Sequence, residues 1–178
     1  MAEQQTETRE QMFARVREYL LAQGEKLSPS AIVEKVRESQ AAVLAAAERL
    51  PAGTLATAPA DGEWSAADVL QHVISSGESV GRSIVETIER RDAAGVLFED
   101  RLEHAGAELS VARARELLLA DREALFAAAL AADPAAHLDV PAIEHMWFGP
   151  LNWKSALLFL RVHDLDHTRQ IEAIAATL

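Results

Sequence analysis

The sequence predicts an all-α protein, a four-helix bundle with crossover connections that follows a short N-terminal helix. Three observations lead to this prediction. Hydrophobic residues make up 49% of the chain but aromatic residues only 5%, and alanine recurs in blocks, a composition that favours helices and their close packing. Apolar residues recur at helical spacing in successive long segments, and no segment alternates as a strand would. The length, 178 residues, suits one domain with a sizeable core.

The N-terminal extension, residues 1–27, contains the short leading helix. Thr8 and Gln11 have the spacing of a capping box, and apolar residues follow helical spacing as far as Gln23. Gly24 is placed to cap the C-terminus of this helix. The predicted bundle then occupies residues 28–178.

The first two long helices have clear start signals. The pair Ser28-Pro29 begins the first helix, since proline is favoured at a first helical position. After a Pro- and Gly-rich loop, Ser65 and Asp68 form a second predicted capping box, and Trp64 is placed to pack on the first turn. This fixed start puts a histidine, His72, two turns into the helix on an apolar stripe.

The third and fourth helices follow longer connections, residues 92–108 and 135–150. The third helix begins at Ser110, continues through apolar residues such as Leu125 and Leu130, and ends before Asp133-Pro134. Asn152 is placed to cap the last helix, which we expect to reach about residue 176. Long connections of this kind are typical of a crossover topology.

Charge and composition exclude several function classes. The formal net charge is -11 without any basic run, so a nucleic acid backbone would be repelled. The chain has no cysteine, which leaves His, Asp and Glu as metal ligands. The N-terminus lacks the apolar core of a signal peptide, and no apolar stretch is long enough to span a membrane. We therefore expect a cytoplasmic protein without a nucleic acid or membrane partner.

The last helix carries the most informative pattern, RVHDLDHTRQIEAI from residue 161 onward. His163 and His167 lie four positions apart, so both side chains are on one face. The same row is otherwise apolar, through Phe159, Ile171 and Ile174, which indicates that the histidines face the bundle interior. A buried imidazole needs a polar partner.

Together with His72, this pair predicts a metal site of three histidines on two helices. Three imidazoles leave coordination positions open for water or substrate, as in catalytic sites. The ligand type suits zinc, nickel, iron or manganese. From the spacing alone, three histidines packed in a core without metal explain the pattern equally well.

Two motifs resemble those of a known family. WSAADVLQHV early in the bundle and HDLDHTRQI late in the chain are similar to the DinB/YfiT-like superfamily of four-helix-bundle metalloenzymes, in which an early helix carries a Trp-Ser start and a histidine and the last helix carries HxxxH. The resemblance implies one divalent metal ion, zinc or nickel before iron or manganese, held by His72, His163 and His167. Relatives often form homodimers, so a homodimer is a second expectation.

The resemblance also implies a class of reaction. Characterised relatives are mostly metal-dependent transferases or isomerases that use a low-molecular-weight thiol as a small-molecule substrate, and a metal-bound thiol is deprotonated at neutral pH. A hydrolase that uses metal-bound water, and a protein that binds a metal or a small ligand without turnover, remain alternatives. The sequence identifies no catalytic residue.

Other residues near these motifs allow two interpretations each. Asp164 could act as the base of a zinc protease, and either Asp164 or Asp166 could orient a ligand imidazole, but exposure to solvent or pairing with Arg161 and Arg169 is the simpler role for both. Small residues around Gly77 and Gly81 leave room either for a neighbouring helix or for a substrate. The aromatic cluster of residues 145–153 either roofs a pocket or caps the core.

Overall fold

The computed structural model describes residues 7–89, 96–98 and 109–178 as five helices and three short strands. The helices are α1 Arg9–Lys26, α2 Pro29–Glu48, α3 Ala66–Ile88, α4 Val111–Ala131 and α5 Trp153–Ala175. The strands are β1 Val96–Phe98, β2 Pro141–His145 and β3 Gly149–Asn152. The predicted all-α bundle with an additional N-terminal helix is confirmed.

Each helix begins at the residue that the sequence predicts. In every case the N-cap side chain accepts a hydrogen bond from the backbone N–H three residues later, which satisfies one of the free donors of the first turn. The five N-cap residues are Thr8, Ser28, Ser65, Ser110 and Asn152. The capping boxes of α1 and α3 are complete, so Asp68 has the capping role favoured by its spacing.

The four long helices pack as a bundle in which neighbours in space are not always neighbours in sequence. Helix α2 packs on α5 and α4, and α3 packs on the same two helices. The chain therefore crosses the bundle diagonally between α2 and α3 and again between α4 and α5. Helix α1 packs along α5.

One detail of α1 differs from the prediction. Gly24 does not cap the helix, because α1 continues to Lys26 and Leu27 is the C-cap. Gly24 is buried where α1 meets α5, and a Cβ atom at this position would lie 2.6 Å from Oγ of Ser155. The glycine is thus needed for close helix packing rather than for a turn.

The three strands were not expected from the sequence. Strands β2 and β3 form an antiparallel hairpin that begins in the predicted 135–150 connection and ends at Asn152, and β1 pairs in parallel with β2. The hairpin is fastened to the bundle because the Ser83 hydroxyl donates a hydrogen bond to the Ala142 carbonyl. These strands have only three to five residues each, and they are too short to show the side-chain alternation by which a strand is recognised in a sequence. Apart from β1, the 92–108 connection lies outside the described residues.

The core consists of two apolar clusters separated by a polar layer. The first cluster includes Val36, Val80, Leu125 and Phe159, and the second includes Val43, Val73, Leu118 and Ile171. Between them, each bundle helix contributes one or two buried residues that are polar, charged or, at Gly77, without a side chain. We call these residues the polar layer: Ser39, Gln40, Ser76, Gly77, Arg122, His163 and Asp164.

Helix α4 contributes the charged residue Arg122 to this layer. Its inner face runs through Leu118, Arg122, Leu125 and Phe126, whereas Leu130 near the C-terminal end of the helix is half exposed. A charged residue therefore occupies the centre of an apolar row.

Among the described residues, no helix combines the length and the apolar character that a membrane span requires.

Candidate metal centre

The fold brings the three predicted histidines together beside the polar layer. The fixed start of α3 places His72, and α5 supplies His163 and His167 from successive turns. The Nε2 atom of His163 lies 3.0 Å from Nε2 of His72 and 3.2 Å from Nε2 of His167. His72 and His163 are buried, and His167 is partly exposed. One ligand nitrogen from each histidine lies within 4.8 Å of the other two.

These separations are close to those of ligands that share one ion. Two nitrogen atoms at about 2.0–2.1 Å from a tetrahedral zinc ion are ~3.3 Å apart. Two of the observed distances are slightly shorter than this value, as hydrogen-bonded imidazoles would also be. Ring rotations that bring the nitrogens of His72 and His167, which lie within 4.8 Å of each other, closer together would accommodate an ion, so the three residues fit a divalent metal.

The protonation state of His163 is suitable for ligation. Burial lowers the pKa of His163 well below its usual value, and positive charge on His167, His72, Arg122 or His145 would lower this pKa further. The imidazole is therefore neutral at physiological pH and has a lone pair to offer. Because a metal ligand must be unprotonated, burial prepares this side chain for the role.

Gln170 fixes the tautomer of His167, the most exposed of the three site histidines. Its Oε1 atom lies 2.8 Å from Nδ1 of His167, so this nitrogen donates the hydrogen bond and Nε2 keeps its lone pair for the centre of the cluster. Gln170 is thus bound to a site residue of its own helix.

Trp64 packs against the cluster from the start of α3. Its ring centroid lies 5.1 Å from that of His72, and its ring stacks on His167 at 6.4 Å. The residue that fastens the first turn of α3 therefore also contacts two of the three imidazoles. The Ser76 hydroxyl lies 3.4 Å from Nε2 of His72 on the other side.

An open cleft of about 940 Å³ reaches the cluster at His167. It lies between the loop before α3 and the C-terminal half of α5. Its walls combine the Trp64 ring, small apolar groups and charged side chains. The lining residues are Pro59, Gly62, Glu63, Trp64, Asp166, His167, Arg169, Gln170, Ala173, Ile174 and Thr177.

The aromatic cluster before α5 does not line this cleft. Phe148 and Trp153 are buried, which agrees with a core-capping role, whereas Met146 and Trp147 are exposed. Nδ1 of His145 accepts hydrogen bonds from the backbone N–H groups of Trp147 and Phe148, and so holds the hairpin turn. The lining of this cleft includes no residue from 135–150, so this connection does not roof it.

The prediction that Asp164 pairs with Arg161 or Arg169 is wrong. Asp164 is fully buried and binds the equally buried Arg122 of α4, with Oδ1 at 3.0 Å from Nη2 and Oδ2 at 3.3 Å from Nη1. It does not pair with Arg161 or Arg169, because its direction on α5 points into the polar layer. With both oxygens engaged, Asp164 is not available as the general base of a protease. Asp166, in contrast, is exposed and lies 3.9 Å from Arg169.

The small residues of α3 make room for α4 and not for a substrate. A Cβ atom on Gly77 would lie 3.1 Å from Nε of Arg122, and one on Gly81 would lie 3.4 Å from Leu125. The space beside these glycines is therefore filled by side chains of α4. Arg122 is the site neighbour that sequence reasoning missed, and its position in an apolar row was the available signal.

The chain matches the model of a known protein family. The family model described as the DinB superfamily matches residues 35–171, a range that includes all three histidines. Searches of the curated proteins and of the solved structures found no match.

Proposed function

Because the chain belongs to the DinB superfamily, we propose that it binds one divalent metal ion through His72, His163 and His167. We further propose that the bound ion activates a low-molecular-weight thiol in a transferase or isomerase reaction. The observation that carries this proposal is the convergence of nitrogen atoms from three histidines, one of which, His167, lines an open cleft. Zinc and nickel suit three neutral imidazoles, and iron and manganese are the alternatives.

The donor set supports a site of catalytic type. Three neutral ligands leave the full positive charge of a divalent ion uncompensated and leave at least one coordination position open. Such an ion lowers the pKa of a thiol bound in that position, which turns it into a strong nucleophile at neutral pH. The thiol must come from solution, since the chain contains no cysteine.

The surroundings supply orientation and access. Gln170 holds the His167 ring by its other nitrogen, and Trp64 packs against two of the imidazoles. The cleft gives a small molecule a path from solvent to His167, while His72 and His163 remain buried. A substrate would therefore bind along the Trp64 side of α5 and place its reacting atom beside His167.

The metal content of the protein tests the first part of the proposal. Protein purified without a nickel column should contain about one equivalent of metal, and His72→Ala, His163→Ala or His167→Ala should each abolish retention. His137→Ala, in the connection before β2, is the control that should keep the metal. Metal retained by all three site variants would refute the site.

A cobalt-substituted form tests the second part. If a thiol enters the open position, the absorption of the cobalt protein should shift on addition of bacillithiol, mycothiol or glutathione. The shift should saturate with thiol concentration and be absent with the corresponding disulfide. No shift with any thiol would contradict thiol activation while leaving metal binding intact.

A further inference from the structure

We propose that the buried ion pair between Arg122 and Asp164 positions His163 for metal binding, by fixing the rotation of α5 relative to the other bundle helices. This inference rests on the proposed metal site. The two residues are positioning residues, because neither carries a ligand atom of the cluster.

The pair is coupled to His163 through the backbone of α5. Asp164 directly follows His163, so their side chains point about 100° apart around the helix axis. Fixing the direction of Asp164 therefore fixes the direction of His163. An imidazole nitrogen lies ~6 Å from the axis, so a rotation of ~10° moves it by ~1 Å. Metal and catalytic sites tolerate displacements of only about 0.5 Å.

The contacts of the pair are directional and reach every bundle helix. Arg122 of α4 binds both carboxylate oxygens of Asp164, a forked arrangement that restricts angle as well as distance. The hydroxyl of Ser39 on α2 lies 3.2 Å from Oδ2 of Asp164 and shares its proton between this oxygen and the Val36 carbonyl, 2.9 Å away. The guanidinium packs on α3 at Gly77, where a Cβ atom would lie only 3.1 Å away. Helix α3 also carries His72, so the pair connects the helices that supply all three imidazoles.

A purely stabilising role would not explain this choice of residues. A buried ion pair contributes little net stability, because the loss of hydration offsets most of the attraction, and apolar residues of similar volume are often as good or better. What an apolar pair lacks is direction, since hydrophobic contact is non-directional and restrains the rotation of a helix less sharply than forked hydrogen bonds do. Folding stability and metal affinity should therefore respond differently to its replacement.

The double variant Arg122→Met/Asp164→Leu tests this difference. It leaves the net charge near the site unchanged and replaces the pair by apolar side chains. We expect the urea midpoint to stay close to the wild-type value or to rise, and metal affinity, measured by competition with a chelator, to fall by about 10- to 100-fold. Wild-type affinity in the folded double variant would overturn the proposal.

Matched variants separate position from charge and from stability. Arg37→Gln/Glu123→Gln removes an exposed ion pair between α2 and α4 and should leave metal affinity unchanged. Leu125→Ala opens a cavity one turn beyond Arg122 and should lower stability without a comparable loss of affinity. Affinity that simply follows stability through all variants would also overturn the proposal. If the double variant does not fold, Arg122→Lys keeps the charge but loses the fork, and should show the loss of affinity instead.

A readout without metal keeps the two proposals distinguishable. If wild-type protein binds no metal, the proposed function fails, but the ring ¹⁵N shifts of the metal-free protein still report on the arrangement of His163. Shifts altered in the double variant and not in the Arg37/Glu123 control would support positioning. Unchanged shifts would refute it.

Discussion

The two sides of the polar layer around α5 handle buried polarity in opposite ways. On one side, Arg122 and Asp164 satisfy each other, with opposite charges, forked hydrogen bonds and the Ser39 hydroxyl. On the other side, His163 faces His72 and His167, so three groups of the same kind point at one place. The first arrangement neutralises its own charges within the fold, although Nε of Arg122 is buried without a hydrogen-bond partner among the described residues.

The difference indicates which side is structural and which is functional. Three neutral imidazoles can form at best a chain of hydrogen bonds, while a cation at their centre would engage three lone pairs at once. A protein that needed only stability could have closed this side with apolar residues, as it does in the layers above and below. We therefore interpret the ion pair as support and the histidines as the site that it supports.

The largest effect on stability should come from breaking the ion pair on one side only. Arg122→Met leaves the carboxylate of Asp164 buried without its counter-charge, and we expect a loss of about 3–5 kcal/mol in the free energy of unfolding. Urea denaturation measures it. The exposed ion pair between Arg37 and Glu123 provides the control, because Glu123→Gln should lower the free energy of unfolding by no more than about 1 kcal/mol. Equal losses would mean that burial does not distinguish the two pairs.

The sequence predicted one side of this layer and missed the other, for a physical reason. Histidines at helical spacing on an apolar row have few explanations, and capping residues fix where they lie along each helix. The partner of Asp164 depends instead on which helices are neighbours, and α4 and α5 are connected across a diagonal. Arg122 was thus visible only as an interruption of an apolar row. The strands were missed because each has only three to five residues, and the cleft was missed because it depends on how distant segments meet.

The second prediction concerns Gln170, which orients an imidazole from outside the cluster. Gln170→Ala removes the acceptor for Nδ1 of His167, so the ring loses both its orientation and its tautomer. We expect metal affinity to fall by about 10- to 100-fold, with little change in unfolding. Glu172→Gln, an exposed change on the same helix, should bind metal as the wild type does. Unaltered affinity in Gln170→Ala would show that packing alone holds the ring.

The third prediction uses the pH dependence of the metal-free protein. Because burial keeps the pKa of His163 below that of the unfolded chain, the unfolded state binds more protons once the pH falls below about 6.5. The free energy of unfolding should therefore fall as the pH decreases from this value toward the folded pKa. Urea midpoints at pH 7.5 and 5.0, with a chelator present, measure the change. His163→Leu should show a smaller decrease, and an equal decrease would mean that other groups cause it.

The smallest expected effect compares two glycines of α3, one on the polar layer and one beyond it. Gly81→Ala meets only ordinary contact with Leu125, so the gain in helix propensity should stabilise the protein by up to about 1 kcal/mol. Gly77→Ala would gain the same propensity, but its Cβ atom presses on a guanidinium that Asp164 prevents from moving away. We expect no net gain or a loss at this position, measured as a urea midpoint at or below the wild-type value. If both variants were equally stabilised, Arg122 would be free to shift, and the ion pair could not fix the rotation of α5. The comparison of two single methyl groups thus tests how rigidly the structural side of the layer supports the histidines.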